Sequence, residues 1–127
     1  MSLLVLAGCA KDADSCLAAV TSWAATARLA GESWSAGLVP TPYTRRTFQA
    51  AEEGIAEAEK DLSKAEDLPT ERRDALERAT SPLRQAVSEA RSAVDRKDRH
   101  AVRPALDRIA AAEKALSALS PKGGGGR

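Results

Sequence analysis

Nucleophilic and imidazole chemistry is scarce in this chain, which holds two cysteines, Cys9 and Cys16, and one histidine, His100. With one imidazole the chain can build neither a paired-histidine acid–base site nor a multi-histidine metal site. A serine nucleophile would need that imidazole held by a third group. His100 falls instead in a charged stretch that reads as a turn. Carboxylates gather at Glu52, Glu53, Glu57, Glu59 and Asp61. They lack the Glu-x-x-His spacing through which a helical bundle holds a di-iron centre. They read as a solvated face, or one paired with the basic helix that follows. The four glycines Gly123–Gly126 follow no strand and open no helix, so they are not a phosphate loop. The residue types therefore predict no enzyme, no catalytic residues, no metal and no cofactor.

Cys9 suggests a different chemistry. It ends the run Leu6-Ala7-Gly8-Cys9, after the apolar stretch Met1–Ala7. Small residues before a cysteine let a peptidase grip the backbone closely, and the free thiol can accept a diacylglycerol. The stretch resembles the lipobox of bacterial lipoproteins. That resemblance covers about the first nine residues and implies removal of residues 1–8 and an acylated Cys9 anchoring the chain to a bilayer. Two or three acyl chains hold more firmly than the marginal grip of one. No charged leader precedes the apolar run, so residues 1–8 read as a signal segment truncated at its start. If Cys9 is acylated, Cys16 has no intrachain partner. If it is not, the two cysteines could pair across a gap of six residues in an oxidising compartment. Cys16 also reads simply as a small apolar residue on a helix face. Ala10 after Cys9 resembles lipoproteins passed to the outer membrane, facing the periplasm, where an organism has two membranes.

The body that follows must be helical. Its length of 127 residues suits one domain, and aromatics make up only 3%, so Ala, Leu, Val and Ile must fill the interior. A net charge of +1 offers no global field for nucleic acid. Apolar steps of three and four define four helices. The first runs from about Ser15 to Leu38 with the stripe Cys16, Val20, Trp23, Ala27, Gly31, Trp34 and Leu38. Thr41 as N-cap and Pro42 as first helical residue open the second. Its stripe, Phe48, Ala51, Ile55, Ala58, Leu62 and Ala65, alternates large side chains with Ala in heptads. A third helix, opened by Pro69 or Thr70, carries Leu76, Thr80, Leu83, Val87, Ala90 and Val94, and Pro82 predicts either a kink or a break and restart. The fourth, with Val102, Leu106, Ile109, Glu113 or Ala112, Leu116 and Leu119, starts at Asp98 with a bend or just before Pro104. The expectation is an all-α, antiparallel up-down-up-down four-helix bundle with an Ala-rich core over residues 15–120. A lipidated tether over 9–14 precedes it and a flexible Gly-rich tail over 121–127 follows.

Alternating helices bring the first and third turns to one end. There the sequence gathers Trp34, Tyr43, Arg45, Arg46, Arg96, Lys97, Arg99, His100 and Arg103 against Glu32, Asp95 and Asp98. Helix N-termini flanked by arginines suit anions. Arg45, Arg46, Arg99, His100 and Arg103, with Trp34 and Tyr43 as stacking surfaces, are thus candidates for binding an acidic protein or polyanion; ordinary solvated arginines are the plain alternative. The function expected is a membrane-anchored, non-enzymatic interaction or structural module of the bacterial cell envelope. Two other readings remain: a carrier holding an apolar or aromatic ligand between helices near Trp23 and Trp34, and a cytosolic helical adaptor without lipid.

Overall fold

Ala, Gly and aliphatic residues at three- and four-residue spacing leave each helix one apolar stripe, and burying four such stripes together dictates the architecture. A computed structural model describes residues 13–66 and 68–119. The signal segment, Cys9 and the Gly-rich tail lie outside them. The helices are α1 (Ala13–Ser35), α2 (Thr41–Ser63), α3 (Thr70–Asp95) and α4 (Arg99–Ala118), and no strand occurs among the described residues. Each packs on its chain neighbour and α4 closes back on α1, giving the expected up-down-up-down bundle. The Ala-heptad seam of α2 is consumed within this chain, with Phe48, Ala51, Ile55, Ala58 and Leu62 all buried.

The cross-section is a rhombus. α1 and α3 approach each other across one diagonal, whereas α2 and α4 do not. Small residues let the two come close: the inward face of α1 carries Ala24, Ala27, Ala30 and Gly31, and that of α3 carries Ala86, Ala90 and Ala93 among larger residues. Every helix also buries large side chains, among them Val20 and Trp34 of α1, Phe48 and Ile55 of α2, Leu83 and Val87 of α3, and Leu106 and Ile109 of α4. Phe48 and Leu106 converge on Gly31, where a Cβ would meet Leu106 Cδ2 at 2.5 Å.

Turn chemistry sets the helix ends. Gly37 takes φ 80°, with Leu38 N–H donating to Ser33 O (2.8 Å) and Gly37 N–H to Trp34 O (2.9 Å), the paired bonds of a Schellman cap. α1 therefore stops at Ser35, and Leu38 leaves the predicted stripe to stand 76% exposed. At the α3 end Lys97 adopts the same left-handed conformation (φ 57°), while Asp98 N–H bonds to Ala93 O at 2.9 Å. The Asp98 carboxylate then accepts from Ala101 N–H, so one residue ends α3 and caps α4. Thr41 is not the N-cap of α2. Pro40 holds that position, and the Thr41 hydroxyl accepts the Trp34 indole N–H at 2.9 Å instead. At the α2–α3 turn Arg73 donates to the carbonyls of Ala65 and Leu68.

Both interior prolines are accommodated without a break. α3 runs through Pro82 and α4 starts at Arg99 and runs through Pro104. Each costs one backbone bond. Pro82 is exposed, but its neighbours Leu83, Ala86 and Val87 are fully buried, so tertiary packing holds the helix together.

Trp23 lies half-buried at the α1–α2 contact, where a Cβ on Gly54 would fall within its indole ring. Ala is a better helix former than Gly by about 1 kcal/mol, yet overpacking against a rigid ring costs roughly 1–3 kcal/mol. Gly54→Ala should therefore lower the melting temperature followed by circular dichroism, and its penalty should shrink in a Trp23→Leu background. A higher melting temperature for Gly54→Ala would contradict this packing.

Candidate functional site

The α1–α2 and α3–α4 turns share one end of the bundle, and the predicted basic residues do collect there, but not as one cluster. Trp34 is 2% exposed and sits beneath α4, with the Arg99 guanidinium carbon 5.1 Å from its ring centroid. A cation over a Trp face is worth from about 0.5–1 kcal/mol when exposed to about 2 when desolvated. Trp34 thus holds Arg99 in place and offers no free face for stacking. Arg99, His100 and Arg103 are exposed on the first turns of α4, and Arg103 lies four residues from Arg99 and three from His100, a neighbour of both on the helix surface. Arg45 turns away from them, toward the α2–α3 seam, where its Nε meets Asp95 Oδ1 at 2.7 Å. Arg46 is exposed on the outward side of α2, and Tyr43, 54% exposed, faces α1.

The acids of this end are engaged. Asp95 pairs with Arg45, Asp98 caps α4, and Glu32 lies 3.7 Å from Arg28, which also binds Glu113 at 2.5 Å. The Glu113 hydrogen bond, followed by its charge and that of Glu32, raises the Arg28 pKa despite partial desolvation. Arg96 donates to the Ser92 hydroxyl. Arg46, Arg99, His100 and Arg103 meet no carboxylate among the described residues. Of the two helix N-termini here, α4 is closed by Asp98 and α2 has no side-chain cap. Asp98 takes up one of the first backbone donors of α4, and Pro42 removes one at α2, so each N-terminus offers fewer amides to an anion than its sequence alone implies.

A second arrangement escapes the helix-by-helix reading. Arg45, Glu52 and Glu59 recur every seven residues on α2 and pair with Asp95, Arg91 and Arg84 of α3 at 2.7, 3.1 and 3.0 Å. The acidic face of α2 is thus paired in part with the following helix. The signal available was heptad spacing of charges on the flank of the α2 stripe, with opposite signs in α3; only the helix–helix register turns it into pairs. Between two rungs opens a polar groove of about 650 Å³ lined by Glu52, Ala56, Ser81, Arg84, Gln85, Ser88 and Glu89. Neither Trp23 nor Trp34 lines it, and no group of three or more His, Cys, Asp or Glu among the described residues is placed to hold a metal ion. Cys16 is buried on α1. No described helix is long and apolar enough to cross a membrane.

Comparison with family models, curated proteins and solved structures finds no match for this chain.

Glu52 is the strained member of the ladder. One carboxylate oxygen meets Arg91, and the other is buried without a hydrogen-bond partner. Burial raises its pKa above the ordinary carboxylate range; Arg91 opposes the shift, while Asp95 and Glu53 add to it. A carboxyl whose folded pKa is raised stabilises the fold only when protonated, and that contribution is lost as pH rises through the folded value. Ionised Glu52 therefore costs stability at neutral pH. Glu52→Gln should raise stability in urea melts at pH 7, and the gain should vanish at pH 3. A loss at pH 7 would mean that the Arg91 pair outweighs desolvation.

Proposed function

We propose that this protein is a lipid-anchored, non-enzymatic interaction module of the bacterial cell envelope that binds an acidic protein or polyanion at the basic end of its bundle. The observation that carries the binding half is electrostatic. Glu32, Asp95 and Asp98 each have an internal partner, while Arg46, Arg99, His100 and Arg103 stand exposed with no carboxylate partner among the described residues. Unpaired cations on rigid helices attract an anionic partner and steer its approach. Arg99 is further pre-positioned by the Trp34 ring.

The anchoring half rests on the lipobox-like Leu6-Ala7-Gly8-Cys9. Cys9 precedes α1 by a few residues, and α1 spans 23 residues, or about 35 Å. Acylation at Cys9 would then put the basic end on the side of the bundle away from the bilayer, where a partner can reach it.

Binding is tested by fluorescence anisotropy of the full chain with a labelled poly-glutamate peptide across a salt series. Affinity should fall steadily with ionic strength, because exposed charges are screened beyond a Debye length of about 10 Å at 0.1 M. Combined Arg46→Ala, Arg99→Ala and Arg103→Ala should weaken binding by about tenfold or more, since even contacts of about 0.5–1 kcal/mol each accumulate. No binding at low salt would overturn the assignment. For the anchor, expression from an extended start should give a membrane-fraction mass beginning at acylated Cys9. An unmodified chain in the soluble fraction would favour a cytosolic adaptor.

A further inference from the structure

The large apolar side chains left exposed among the described residues are Leu29, Leu38 and Tyr43; Leu29 and Tyr43 share one corner of the bundle, and Leu38 lies in the turn between their helices. Leu29 is 57% exposed in the second half of α1, Leu38 follows the Gly37 turn, and Tyr43 stands in the first turn of α2. Between α1 and α2 this corner is indented by a notch of about 260 Å³, lined by Thr26, Leu29, Ala30, Ser33, Val39, Tyr43 and Thr47. Thr26, Leu29, Ala30 and Ser33 follow the i, i+3, i+4, i+7 spacing of a single helix face, and Tyr43 and Thr47 supply the opposite wall one turn apart. The notch carries no charged residue. Its volume lies below the roughly 300–1,000 Å³ of small-molecule pockets and suits one large side chain.

Local folding does not explain why the corner stays bare. In a Schellman cap the residue after the left-handed glycine usually packs on the third residue before the cap. Here that position is Ser33, so Leu38 finds no apolar partner and remains outside. Charge identifies what could cover it. From Ser15 to Ala51 the only acid is Glu32, and it is held by Arg28. Arg46 is exposed three residues beyond Tyr43, the spacing of surface neighbours on a helix. A second copy of this chain would set like charges against each other, whereas an acidic partner is complementary.

We propose that the α1–α2 notch receives an aromatic or aliphatic side chain from an acidic peptide segment of a partner protein, whose carboxylates lie along Arg46 and the α4 arginines. This rests on the reading of the basic end as an acidic-partner surface and adds a specificity pocket to it. The partner motif is then an apolar residue flanked by Asp or Glu, not a uniform polyanion.

Two labelled peptides separate the two claims: a Glu/Ser peptide with a central Phe, and the same peptide with Ser in place of Phe. Against the full chain the Phe peptide should bind about tenfold tighter, the effect of burying one large apolar side chain. Leu29→Ser, which removes one wall, and Ser33→Phe, which fills the notch, should each abolish that preference while leaving the Ser peptide unaffected. Both substitutions sit outside the core, and unchanged helical circular dichroism checks the fold. Equal affinity for the two peptides, or a Phe preference surviving both variants, overturns the notch and leaves the basic end standing. Failure of both peptides to bind removes both readings. Binding of phosphatidylglycerol vesicles, lost in Leu38→Ser, with no Phe preference among peptides, would assign the corner to a lipid surface and overturn the proposal.

Discussion

Close approach of α1 to its neighbours is the constraint on which the bundle depends. With few aromatics, the protein cannot fill a wide interior and instead narrows it. Gly31 accepts Phe48 and Leu106 against its backbone, and Gly54 accepts the Trp23 ring. Small residues let α1 and α3 meet across one diagonal, while α2 and α4 do not meet across the other. Interiors pack at near-crystalline density, so shortening one diagonal leaves little slack for a guest. The accessible spaces at α2–α3 and α1–α2 lie on the flanks, between polar or half-buried residues. A carrier that parts its helices around Trp23 and Trp34 would have to disrupt these same contacts.

Charge is divided between two tasks. Along the α2–α3 seam, opposite signs at heptad spacing meet in pairs that are partly exposed and individually worth about 0.2–1 kcal/mol. Such pairs contribute more to register than to stability: sliding α3 by one turn would set Arg91 and Arg84 away from their glutamates. At the end of the bundle the same residue types are left over. The excess of arginine there is what remains after the seams and caps have claimed their acids, and it coincides with the exposed apolar corner.

Much of the fold is legible in the sequence because burial is periodic. Every residue of the α3 stripe from Leu76 to Val94 is buried as its spacing demands. The first stripe departs at Leu38, which is exposed, and at Trp23, which is half-buried. Leu38 keeps the helical spacing, but Gly37 turns the chain left-handed one residue earlier, a local event that periodicity cannot register. Thr41 has the side chain of a cap, yet a tryptophan seven residues upstream takes its oxygen. Pro82 and Pro104 leave their helices unbroken because the packing of their neighbours outweighs the lost backbone bonds. The candidate site was legible as a composition and not as an arrangement. Which arginine turns to a carboxylate, which to an indole and which to solvent follows from the register of neighbouring helices, and no single stripe contains that information.

Asp98 joins α3 to α4 through two bonds made by one residue: its amide closes the end of α3, and its carboxylate opens α4. A fluctuation that displaces it frays both helices together, whereas the α1–α2 link has no side-chain cap at Pro40 and ties its helices through the Trp34 indole bond to the Thr41 hydroxyl. A shared residue of this kind favours opening of the α3–α4 junction as one unit rather than one helix at a time. At the α1–α2 corner that bears the notch, the equivalent coupling passes through a buried indole, so a change at Trp34 would disturb the start of α2 and the end of α1 together.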